Sequence, residues 1–170
     1  ILEGDLRAIP VPDTAVGILT AHALFNVVPP RDVAQIAGEL TRVAKPGAAL
    51  LVDDYAPVPE RAAIRDLFAL ENATMALADN RPAVTFYPNV LIRSIFEAHG
   101  WKLEGSTTLL DPVPWTESHV EAHAEIARNA AASIDGPLGD ELAARADRLV
   151  AEIESTSVGE MYSLAFRLPD

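Results

Sequence analysis

The residues best placed to do chemistry are Asp5, His22 and the pair Asp53-Asp54, which fall at turns or directly after short apolar runs. A carboxylate in such a place can take hydrogen bonds from a small ligand, and an imidazole there can move a proton near neutral pH. Asp53 and Asp54 are adjacent, so on a strand they point to opposite faces and at most one enters a given pocket. A divalent cation would want further oxygen ligands that nothing in the sequence identifies, so no metal is expected. His119 and His123 lie four apart, which puts them on one face of a helix. The pattern is not H-E-x-x-H and offers no third zinc ligand, so the expectation is an exposed polar helix face. The chain has no cysteine, which excludes disulfides, thiolate metal sites and a cysteine nucleophile. Tyr55, Tyr87 and Tyr162 are followed four residues on by Pro59, Leu91 and Phe166, so the Tyr-x-x-x-Lys pair of a nucleotide-dependent dehydrogenase is missing. No G-x-S-x-G nucleophile turn occurs either.

These residues need elements to hold them. Ile1-Leu2 reads as a strand end closed by Glu3-Gly4-Asp5, and Val16 to Thr20 as a short buried strand. Pro29-Pro30 opens a helix whose apolar face is Val33, Ile36, Ala37, Leu40 and Val43, and Lys45-Pro46-Gly47 ends it. Ala48 to Val52 is a second buried strand, stopped by Asp53-Asp54. Strand, helix, strand predicts a parallel pair with a right-handed crossover. Ligands of such sheets sit beyond the carboxyl ends of the strands, which gathers Asp5, Thr20 to His22 and Asp53-Asp54 on one rim. Further on, helices are predicted over 61–78 and 89–99, a strand over 101–110, helices over 117–132 and 140–155, and a last strand over 161–168. No repeat or linker marks a boundary, so residues 1–170 are expected to form one α/β domain. Phe68, Met75, Phe86, Tyr87 and Trp115 could line an apolar pocket; Tyr87 and Trp115, beside prolines in connecting segments, are the better placed of them.

The chain has 170 residues, 49% of them hydrophobic, enough for a sizeable core. Its formal net charge is -12, and Lys45 and Lys102 are its only lysines. Phosphate binding needs a basic stripe, so neither nucleic acid nor an anionic membrane is an expected partner. No apolar run approaches the ~20 residues of a membrane span, and the expected location is the cytoplasm.

Four stretches occur in a familiar order: residues 3–13 (EGDLRAIPVPD), 18–27 (ILTAHALFNV), 39–47 (ELTRVAKPG) and 96–101 (FEAHGW). Together they resemble the small-molecule branch of class I S-adenosylmethionine-dependent methyltransferases, the group that includes the ubiquinone/menaquinone methyltransferases. The resemblance implies a Rossmann-like sheet with an antiparallel last strand, of which this chain supplies the C-terminal portion, the helices after Trp115 being an insertion. It implies S-adenosylmethionine as cofactor, with Asp5 accepting from the adenine amino group, Leu6 offering its backbone N–H to the ring, and Thr20, Ala21 and His22 lining the methionine end. His22 and Asp54 are the catalytic candidates. Phe25, Asn26, Tyr87 and Trp115 are the substrate-pocket candidates, Phe25-Asn26 standing where the family often carries a His-His pair. None of the nine glycines forms G-x-G-x-G, and that loop is what lets the backbone approach the cofactor. The expected activity is therefore methyl transfer to a small apolar or aromatic acceptor in the full-length protein, with weak cofactor binding by this chain alone. The rival expectation is a non-catalytic, methyltransferase-like dimerisation or partner-binding module. The bare edge of the Val16–Thr20 strand is expected to be covered either by further N-terminal residues of the native protein or by a close homodimer.

Overall fold

A computed structural model describes residues 3–153 and 156–170. Along the chain run β1 (Val16–His22), a 3-10 turn (Phe25–Val27), α1 (Pro30–Val43), β2 (Ala44–Tyr55), α2 (Arg65–Asp79), α3 (Asn89–Ala98), β3 (Lys102–Leu110), the two-residue β4 (Pro114–Trp115), α4 (Glu117–Ala131), α5 (Pro137–Glu152), the two-residue β5 (Thr156–Ser157) and β6 (Met161–Arg167). The predicted elements are present, with ends moved by up to four residues. The strand end expected at Ile1-Leu2 lies outside the described residues, and Glu3 to Asp5 belong to no strand. The chain divides into two compact units: Ile1–Ala56 with Phe86–Leu110 and Met161–Asp170, and Pro57–Thr85 with Asp111–Glu160.

The first unit is built on a four-stranded sheet in the order β1-β2-β6-β3. β1 and β2 are parallel, Ile18 opposite Ala49 and His22 opposite Asp53. β6 runs antiparallel between β2 and β3. Side chains alternate across β2, so Ala48, Leu50, Val52 and Asp54 share one buried face. On β6, Tyr162, Leu164 and Phe166 pair with Asp54, Val52 and Leu50 and are buried as well.

Helix α1 joins the same core through Val33, Ile36, Ala37 and Leu40, with Pro30 in its first turn where no backbone donor is needed. α3 adds Ile92 and Phe96. Phe96 meets Phe25, Trp101 and Phe166 with ring centroids 5.9, 6.3 and 5.3 Å away. The Trp101 indole donates to Thr41 Oγ1 at 2.8 Å, so the largest core side chain is not left with an orphan donor.

Two expectations need correction here. Val16–Thr20 is a strand but not a buried one: Ile18 is 75% exposed, because β1 is the outer strand of the sheet among the described residues. Lys45-Pro46-Gly47 does not simply end the helix; it is already part of β2, with Gly47 at φ 74°, a conformation that favours glycine.

The second unit is mainly helical: α2, α4 and α5, with β4 and β5 paired antiparallel. Ile64, Leu67, Phe68, Val120, Ala124, Ala127 and Ala146 are buried. The exposed polar face expected of the two histidines is found at His119 and not at His123. His123 is not simply exposed: its Nδ1 lies 2.8 Å from Oε2 of Glu71, a residue with no exposed surface. His119 serves as a helix cap, its Nδ1 accepting the Thr116 N–H at 3.1 Å.

Candidate functional site

The carboxyl ends of β1 and β2 bring His22, Asp53, Asp54 and the turn Phe25–Val27 together in the first unit. Asp54 organises this rim. Its Oδ2 accepts the N–H of Phe25 at 2.8 Å and of Asn26 at 3.3 Å, and its Oδ1 accepts the Tyr55 N–H at 2.8 Å. Burial pushes its carboxyl above the usual range, against the three N–H groups that favour the charged form. Between β1 and the turn, Ala23 sits at φ 47°, and its N–H donates to the Asp53 carbonyl at 2.8 Å. A non-glycine residue in that region costs about 1–3 kcal/mol, which the surrounding contacts must offset.

Among the described residues, two acceptors on the rim have no partner. Asp53 Oδ1 and Asn26 Oδ1 are both buried and without a hydrogen bond. The other Asp53 oxygen faces His22 Nδ1 at 3.4 Å, and the imidazole is largely exposed. A buried acceptor without a donor is costly, and a ligand N–H or ammonium reaching either atom would relieve it. The methionine end of S-adenosylmethionine carries such an ammonium, so the donor chemistry of the cofactor fits here.

The adenine-side candidates sit on the segment from Asp5 to Asp13, which α1 holds by side-chain clamps. Glu39 Oε2 accepts the Ile9 N–H at 3.0 Å. Arg42 donates to the carbonyls of Val11 and Ile9, each at 2.9 Å, and to Asp13 at 2.6 Å. Gln35 donates to the Arg7 carbonyl at 3.1 Å. Asp5 itself is exposed and bound by Arg7, whose side-chain hydrogen bonds hold its carboxyl at about 2. It would meet adenine as a carboxylate that already has one partner.

The remaining sequence candidates are spread. Thr20 and Leu6 are exposed and Ala21 is buried. Phe25 lies fully within the core, and Tyr87 is buried with its hydroxyl donating to the Val28 carbonyl at 2.9 Å. Trp115 belongs to the second unit, stacked on His123. Glu39 and Arg42 escaped the sequence reading because a Glu and an Arg three apart on a helix look like an ordinary surface pair; the only hint was their place in the 39–47 stretch.

No known family model matches the sequence, and no curated protein matches it. Solved structures do match in fold. The chain superposes on the S-adenosylmethionine-dependent methyltransferase of Methanosarcina mazei with a TM-score of 0.56 and 9% identity, covering 98% of this chain and 65% of that one. On the cyclase SpnF the TM-score is 0.55 at 17% identity, covering 98% and 54%. On the phosphoethanolamine N-methyltransferase 2 of Haemonchus contortus, which holds S-adenosylhomocysteine, it is 0.53 at 12% identity, covering 98% and 36%. This chain thus spans little more than half of SpnF and about a third of the Haemonchus enzyme. The fold is the Rossmann-like α/β fold of the class I S-adenosylmethionine-dependent methyltransferases.

Proposed function

We propose that this chain is part of an S-adenosylmethionine-dependent methyltransferase acting on a small, apolar or aromatic acceptor. One observation carries the reading: the rim where β1 and β2 end holds two buried, partnerless acceptors, Asp53 Oδ1 and Asn26 Oδ1, in a sheet shared with methyltransferases. Fold alone would not suffice, since the same fold carries a cyclase.

The cofactor supplies an electrophilic methyl group on a sulfonium. The residues do the positioning. Asp53 and Asn26 receive the ammonium, with Thr20, Ala21 and His22 beside it, and Asp54 fixes the turn that presents Asn26. Asp5 and Leu6 take the adenine side, steadied by Glu39 and Arg42. In-line displacement depends mainly on alignment, so a rim rich in positioning contacts suits it. His22, exposed and beside Asp53, is the candidate for a proton acceptor within this unit.

The exposed edge of β1, with Ile18 outward, supports pairing with a second copy of the chain. Light scattering returning a well-folded monomer would remove that part.

The cofactor reading is tested by titrating S-adenosylhomocysteine into the chain and following amide shifts. Binding is expected to be weak for this chain alone, with the largest shifts at Thr20, Asn26 and Asp53. Shifts absent at millimolar ligand, or confined to residues away from the rim, would overturn it.

A further inference from the structure

We propose that Glu71 and His123 form an acid–base site in the helical unit that binds a phenol or enol at His123 Nε2 and takes its proton. Glu71 on α2 has no exposed surface, and its Oε2 lies 2.8 Å from His123 Nδ1 on α4. A carboxylate only accepts, so Nδ1 carries the hydrogen, and in the neutral ring the lone pair rests on Nε2. Among the described residues Nε2 has no hydrogen-bond partner, and the His123 side chain is 21% exposed. The ring is held from its sides: it stacks on Trp115 with centroids 4.9 Å apart and meets Phe68 edge-on at 5.0 Å.

A pair that served packing alone would satisfy both carboxylate oxygens. Here Glu71 Oε1 is buried and has no partner. A desolvated carboxylate of that kind costs free energy unless a positive charge forms beside it. Protonation of Nε2 creates that charge. The ligand O–H bond breaks, its proton bonds to Nε2, the electron pair stays on oxygen, and the imidazolium faces Glu71. No other reactant is needed. This is the arrangement in which a carboxylate orients an imidazole and stabilises its charged form.

The ligand class follows from the base and its surroundings. Imidazole accepts protons efficiently from acids not far weaker than imidazolium. Phenols and enols come much nearer to that condition than aliphatic alcohols do. Trp115, half-buried and stacked on the imidazole, gives the site an aromatic side. The site does not depend on the methyl-transfer reading above.

The test is a titration of the whole chain with 4-nitrophenol, without cofactor, buffered below the ionisation midpoint of the free phenol. Phenolate absorbance in excess of buffer is expected, saturating with protein and falling about tenfold in His123→Gln and in Glu71→Gln. Nitrogen-15 spectra of the histidines should show Nδ1 of His123 protonated throughout and Nε2 gaining a proton as phenol is added. No excess absorbance, an undiminished signal in folded His123→Gln, or a protonated Nε2 in the free protein would each overturn the site. Should both variants unfold, the nitrogen spectra of the unaltered chain decide. S-adenosylhomocysteine shifts at Asn26 and Asp53 are read separately, so failure on one side leaves the other standing.

Discussion

Asp54 and Glu71 are both carboxylates with almost no exposed surface, one in each unit, yet their surroundings differ in kind. Asp54 receives three backbone N–H groups across its two oxygens. Glu71 receives one imidazole N–H on one oxygen and nothing on the other. The first carboxylate has its acceptor capacity spent on holding a turn, so it is a scaffold. The second retains capacity, and its one partner is a group that can change charge. Burial alone therefore does not mark a reacting residue; what matters is which atoms remain unused once the fold is made.

The difference predicts different responses to removal. Asp54→Ala strands the N–H groups of Phe25 and Asn26 and opens a void under the turn. The expected loss is roughly 3 kcal/mol in denaturant unfolding, with Asp54→Asn losing about half that because one oxygen remains. A loss below about 1 kcal/mol for the alanine variant would mean that the turn is held by Phe25 in the core and not by the carboxylate.

For Glu71 the informative quantity is a coupling. Glu71→Leu leaves the His123 donor without its acceptor, and His123→Phe leaves the carboxylate without the one donor it has among the described residues. Each is expected to cost about 1–3 kcal/mol. Together they should cost less than either sum implies, by about 2 kcal/mol, since an apolar replacement of a buried pair is often close to neutral. Additive losses would show the two side chains to be independent and erase the contrast with Asp54.

Much of the first unit was legible in the sequence. The helix from Pro30 could be read because its apolar residues recur with helical period and a proline marks its start. The strands at 48–52 and 161–168 could be read because short apolar runs end at turn residues. The pairing order could not be read from local pattern; the antiparallel direction of the last strand came only through the family resemblance, and its place between β2 and β3 was not anticipated. Burial of β1 was misread because an apolar run says what a strand could bury, not whether a neighbour exists to bury it. The Glu71–His123 pair was invisible because its members stand 52 positions apart on separate helices. Spacing reports only contacts within one element, and there His123 looked like half of a solvated pair.

A gentler probe of the scaffold is Arg42→Ala. Arg42 and Glu39 fasten the segment carrying Asp5 and Leu6 to α1. Losing the guanidinium should leave the sheet intact while speeding amide exchange at Ile9 and Val11. Unchanged exchange there would assign the order of that segment to Gln35 and its own turns instead.

The smallest expected effect lies in acid. Asp5, held at about 2 by Arg7 against an ordinary value of 3.8, is the more acidic in the folded chain. Its contribution is present above the ordinary value and is lost as pH falls toward 2. Asp54 is shifted the other way by burial, so its contribution is present below the ordinary carboxylate range and is lost as pH rises through its raised value. The stability difference between the unaltered chain and Asp5→Asn should accordingly shrink below about pH 4 and vanish only as the pH falls through about 2. Because Asp5 and Arg7 are exposed, added salt should shrink it at neutral pH as well. The corresponding difference for Asp54→Asn should have the opposite slope and ignore salt, since a carboxylate enclosed by backbone N–H groups is screened far less. Two parallel slopes would mean that Asp54 titrates like a surface group, and with that its assignment as an enclosed scaffold would fail.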